Sequence, residues 1–114
     1  MGREPLADLY ERIARLHSED LNDEAALANL ALAERLLPEK LTLILNRAIV
    51  LQQSGRSREA MDAYREYLDR APEAPENLRV AAEERIAMLE RFEERREEAR
   101  QRRVQEDLRR RLNE

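Results

Sequence analysis

The chain has 114 residues, 42% of them hydrophobic but only 4% aromatic, with two glycines, no cysteine and a formal net charge of −4. A chain of this length forms one domain with a small core. The absence of cysteine excludes disulfides, thiolate metal sites and a cysteine nucleophile, and the acidic balance argues against global attraction to nucleic acid or anionic membrane. Apolar burial must come from Leu, Ala and Ile, which are good helix formers, so an all-α fold is expected. No run approaches the roughly 18 apolar residues of a membrane span. Membrane insertion is therefore not expected, and the cytoplasm is the default compartment.

Pro5 suits the first turn of a helix because its missing N–H has no partner there in any case. Leu6, Leu9, Tyr10, Ile13, Ala14 and His17 then recur at three- and four-residue steps, which predicts helix one to about Glu19. In the polar turn that follows, Asp23 is placed to cap helix two, about Glu24 to Leu37, and Pro38 stops it. Helix three, about Leu41 to Ser54, is apolar on nearly every side and expects neighbours all round. Gly55 supplies a left-handed helix end and Ser57 the next cap, with helix four running to Pro72. Pro75 opens a last helix with the stripe Leu78, Ala81, Ala82, Ile86, Leu89 and Phe92. Residues 93–114 continue it as a charged segment whose Glu-to-Arg pairs, such as Glu93 with Arg96, support a solvated helix.

Pro38 and Pro72 are 34 residues apart, and the same offset superimposes Ala14 on Ala48, Ala26 on Ala60 and Leu30 on Tyr64. One unit is used twice. Tyr10, Ile13, Ala14, His17, Ala26, Leu30 and Pro38, repeated as Ile44, Arg47, Ala48, Leu51, Ala60, Tyr64 and Pro72, resemble the tetratricopeptide repeat. The resemblance implies an α-α superhelix of antiparallel helix pairs, with repeats at about 7–40 and 41–74 and a capping helix from about 75. Tyr67 departs from the pattern, standing where the family usually has a small residue.

The resemblance further implies a non-enzymatic scaffold that binds a protein or peptide on a face lined by the first helix of each unit. Helical spacing puts Glu11, Arg15, Leu45, Asn46, Ile49, Gln52, Arg79 and Glu83 near that face. Chaperone-binding members clamp a carboxylate with lysines where this chain has Glu11 and Glu76, so a chaperone-tail adaptor is disfavoured. Two other expectations concern helix three: its Leu45 and Ile49 are either exposed or simply core, and its excess apolar surface is expected to be covered by the chain's own last helix folded back, by a foreign peptide, or by a second chain, which favours a homo-oligomer.

The lone His17 reads as a packed residue rather than a ligand or base. Ser18, Ser54 and Ser57 lack partners that would activate them, and no phosphate-binding loop is present. Neither an enzymatic activity nor a cofactor is expected. The tail arginines Arg100, Arg102, Arg103, Arg109, Arg110 and Arg111 allow weak nucleic-acid binding as an alternative, which interleaved Glu argues against. The stretch YLDRAPEAPENLRVAAEERIAMLERF also resembles the repeat tail of some bacterial transglutaminase-like proteins, implying as another alternative an accessory domain of a larger enzyme or membrane assembly. Twenty arginines against the single Lys40 point to a GC-rich bacterial genome.

Overall fold

A computed structural model describes residues 2–114 and is all-helical among them. The helices are α1 (Arg3–Glu19), α2 (Asp23–Leu36), α3 (Thr42–Gln53), α4 (Ser57–Arg70) and α5 (Glu76–Leu112). They pack in chain order: α1 on α2, α2 on α3, α3 on α4 and α4 on α5. The 37 residues of α5 span about 55 Å at a rise of about 1.5 Å each. They account for the elongated 69 × 30 × 20 Å outline.

The 34-residue offset reappears in backbone geometry. α1 closes with Leu21 in the left-handed region (φ 59°) and α3 with Gly55 there (φ 79°). In each case the two following amides turn back on the helix: Leu21 N–H and Asn22 N–H donate to Ser18 O and His17 O, and Gly55 N–H and Arg56 N–H to Gln52 O and Leu51 O. Such a closure satisfies the free carbonyls of the last turn. Leu37 (φ −138°, ψ 66°) and Ala71 (φ −120°, ψ 57°), also 34 apart, leave α2 and α4 through nearly the same backbone conformation before a proline.

This tight closure corrects both predicted caps by one residue. Asn22 ends one turn and begins the next helix, its side chain accepting from Ala25 N–H at 3.4 Å, whereas Asp23 is already helical and leaves a buried Oδ1 without a hydrogen bond. Arg56 occupies the equivalent cap position, and Ser57 is the buried first residue of α4. Glycine is the residue that takes the left-handed conformation without steric cost, and for leucine it costs about 1–2 kcal/mol. Leu21 is exposed, so Leu21→Gly loses little packing. Urea titration should show stabilisation of about 0.5–1 kcal/mol once glycine's greater chain entropy is subtracted. An unchanged midpoint would show that the turn is unstrained.

The core has two parts, joined by α3. Leu43 and Val50 pack with Ala7, Ala14, Ala26, Leu30, Ala33 and Leu37 of the first helix pair. Ile44, Ala48 and Leu51 pack with Ala60, Met61, Ala63, Tyr64, Tyr67, Ala82 and Leu89. Small residues allow this approach: Ala14, Ala26, Ala48 and Ala60 are all buried where helices meet. Leu45 rests half-buried on the second cluster. Most of the apolar surface on α3 is therefore covered within the chain, without a donated helix.

The stripe predicted on α5 needs correction. Leu78, Ala82, Ile86 and Leu89 do pack on the second cluster, but Ala81 and Phe92 are exposed. The contact with α4 follows one edge of the predicted stripe, and Phe92 lies off that edge with the Arg96 guanidinium 5.7 Å from its ring centre. Leu9, one of the periodic apolar residues of α1, is 41% exposed. Its equivalent 34 residues on is fully buried Leu43, which has a preceding helix pair to pack against. Leu9 has none.

Candidate functional site

Two clefts run side by side along α3. The first, about 260 Å³, lies between α1 and α3 and is lined by Glu11, Ala14, Arg15, Ser18, Glu19, Leu30, Asn46, Ile49, Val50 and Gln53. The second, about 450 Å³, lies between α3 and α5 and is lined by Leu45, Ile49, Gln52, Gln53, Tyr64, Leu78, Ala81, Ala82 and Arg85. Ile49 and Gln53 line both, so the clefts form one groove with Ile49 on the ridge between them. Ile49 is 41% exposed, which settles the choice left open by the sequence: it is not core.

Side chains along the groove are held by one another. Lys40 Nζ donates to Glu11 Oε2 at 2.8 Å and to Asp8 Oδ1 at 3.3 Å, while Asn46 Nδ2 donates to the other oxygen of Glu11 at 3.1 Å. Glu11 is thus neutralised and fixed, and its carboxylate holds Asn46 in place. Ser18 Oγ donates to Gln53 Oε1 at 3.0 Å, and Tyr64 Oη donates to Gln52 Oε1 at 2.7 Å.

Arginine pairing differs between this groove and the molecule's other clefts. Across the opposite side, Arg47 bridges Glu34 at 3.0 Å and Glu66 at 2.8 Å, tying α2, α3 and α4 together. Arg56 pairs with Glu24 and Glu59, Arg58 and Arg96 share Glu93, and Arg70 reaches Glu66 and the Pro38 carbonyl. Each lines a cleft and each has an acceptor. Arg15 and Arg85 line the groove on either side of Ile49 and stand within ion-pair distance of no carboxylate among the described residues. Glu19, one turn beyond Arg15, is the other charge at that end.

Of the residues predicted for the face, Glu11, Arg15, Asn46 and Ile49 meet in the first cleft, and Leu45, Ile49 and Gln52 in the second. Arg79 and Glu83 line neither. Arg79 instead donates from Nη1 to Leu68 O at 3.0 Å and Ala71 O at 2.7 Å, capping the carbonyl end of α4. Glu83 is exposed elsewhere on α5. Arg85 takes the place of both; it aligns with the first helix of a third unit, but the spacing does not reveal which side of α5 faces α3.

The hydrogen bond from Lys40 to Glu11 raises the Lys40 pKa above its usual value near 10.5, with Asp8 adding to the effect. Burial raises Tyr64 above 10, partly offset by the Arg85 charge. Both groups hold their protons more tightly when folded than when unfolded, so their contribution is intact below pH about 10 and is lost as pH rises through the folded values. Urea midpoints should fall on the alkaline side, and the fall should be shallower in the Lys40→Met, Tyr64→Phe double variant. An identical profile in that variant would assign the loss to other groups.

Among the described residues no group of three or more His, Cys, Asp or Glu is placed to hold a metal ion, and no helix is long and apolar enough to cross a membrane. Comparison with protein-family models, with curated proteins and with solved structures finds no match.

Proposed function

We propose that the chain is a tetratricopeptide-type scaffold that holds a peptide or partner helix along the groove between α1, α3 and α5. The carrying observation is Ile49, an aliphatic side chain kept partly exposed at the junction of two clefts on the most apolar helix of the fold. Isolated exposed apolar residues are ordinary, but Ile49 adjoins Leu45, Leu78 and Ala81 in a concave setting, where apolar anchors are usual for ligand sites. The 34-residue recurrence of turns, caps and buried alanines supports the repeat reading. The groove suits binding rather than chemistry: Glu11, Asn46, Ser18, Gln53, Gln52 and Tyr64 are tied to neighbours, and the charges left without a partner are Glu19, Arg15 and Arg85. Unpaired Arg15 and Arg85 favour a partner segment carrying carboxylates around an aliphatic centre.

Ile49→Glu tests this reading. Partner capture followed by mass spectrometry should lose the bound protein, while helicity is kept and stability changes by less than about 1 kcal/mol, as for an exposed position. Loss of the fold instead would place Ile49 in the core and remove the proposed site.

A further inference from the structure

Ala81 and Arg85 line the cleft between α3 and α5, and they begin a series that outruns it. At alternating four- and three-residue steps the series continues through Met88, Phe92, Arg95, Ala99 and Arg102. Such spacing makes the seam along which one helix packs on another. α3 ends at Gln53, and past it the seam stays open: Met88 is 38% and Phe92 44% exposed.

Charge is sorted about this seam. At about 100° per residue, Arg85, Arg91, Arg95, Arg102 and Arg103 all fall within about 60° of Met88. None of them stands within ion-pair distance of a carboxylate among the described residues. Glu90, Glu93 and Glu97 lie on the far side of α5, where they are already paired with Arg65, Arg96 and Arg100. Between Ala81 and Arg103, Glu84 is the one carboxylate on the side of the seam.

The geometry points to an acidic amphipathic helix of a partner protein as the occupant of this seam. Its carboxylates meet Arg85, Arg95 and Arg102, and its aliphatic side chains meet Met88, Phe92 and Ala99. The inference deepens the groove reading and rests on it at one end, since the helix enters the α3–α5 cleft beside Ile49 and then follows α5. From Ala81 to Arg102 the contact runs about 32 Å at the α-helical rise. A second copy does not suit the seam, because it would set the same unpaired arginines against one another. Nor does a nucleic-acid duplex: α5 is about 10–12 Å across, so a broad phosphate surface would meet the far-side glutamates within a Debye length of about 8–10 Å. A partner helix touches the seam alone.

The probe is a synthetic helical peptide with Glu set to meet Arg85, Arg95 and Arg102 and Leu set to meet Ala81, Met88, Phe92 and Ala99, made in both chain directions. Fluorescence anisotropy with the full chain at about 50 mM salt should show binding of one direction, and no binding when Lys replaces each Glu. The Arg95→Glu, Arg102→Glu double variant should bind the Glu peptide at least about tenfold more weakly and gain the Lys peptide. Its circular-dichroism spectrum should be unchanged, since both positions are exposed. A chain that binds neither direction of the Glu peptide overturns the inference, as does a double variant that binds it as the wild type does. Duplex DNA bound more tightly than the peptide, and lost in the double variant, would assign the seam to nucleic acid instead; self-association lost in that variant would assign it to a second copy. The groove reading fails separately: a captured partner lost by Ile49→Glu but kept by the double variant leaves the groove standing and removes the seam.

Discussion

Leu43→Ala should cost about 2–5 kcal/mol, whereas Leu9→Ala, the same change at the equivalent place in the first unit, should cost less than about 1 kcal/mol in dilute solution. Leu43 is fully buried between α3 and the first helix pair, so truncation opens a cavity at the joint between units. Leu9 occupies the same repeat position with no helices beyond it. Equilibrium urea unfolding of the two variants measures what the neighbouring pair contributes while sequence and local geometry stay nearly constant. Equal losses would contradict the assignment of Leu43 to an inter-unit contact. The effect is large against a total stability of about 5–15 kcal/mol for domains in general, and the Leu43 variant should melt well below the Leu9 variant.

Tyr67→Ala should be comparably severe, at about 3–5 kcal/mol. Tyr67 is almost fully buried and belongs to the cluster in which α3, α4 and α5 meet, beside the cleft formed by Leu41, Ala71, Pro72, Ala74 and Leu78. Its equivalent in the first unit is Ala33, also buried. The second cluster is thus filled at this repeat position by a ring where the first holds a methyl group. Loss of the ring should loosen α5 in particular, so hydrogen exchange at residues 78–89 should quicken more than at α1 and α2. Uniform quickening would show that Tyr67 supports the whole bundle equally.

The helices and their pairing were readable from the chain because apolar spacing, Gly55 and the two prolines punctuate it unambiguously. Burial of individual side chains was not, because Leu9 and Leu43 carry the same local pattern and differ only in what stands beyond them. Phe92 fell on the right helix but the wrong edge, since periodicity fixes a stripe and leaves its docking side open. The cap errors at Asp23 and Ser57 arose because one residue ends a turn and starts a helix, an economy that residue preferences do not record. Groove residues on α1 and α3 were found because the repeat fixes their orientation. Arg79 was misassigned and Arg85 passed over for the same reason as Phe92: α5 lacks a following helix to fix its roll. The bond from Asn46 to Glu11, and its dependence on Lys40, joins residues 29 to 35 positions apart, a distance at which sequence pattern is silent.

Beyond Glu93 the last helix has left the bundle, and its ion pairs, Arg100 with Glu97 and Arg111 with Asp107, are internal to it. About 19 further residues carry it roughly 29 Å at the α-helical rise. A stiff arm of that length is a spacer: it cannot fold back to deliver its tip to the groove, as a flexible tail of equal length could. Anything attached near Leu112 is consequently held at a set distance from whatever occupies the groove. Shortening the arm by whole turns would change that distance in steps of about 5.4 Å while returning the tip to nearly the same rotational heading.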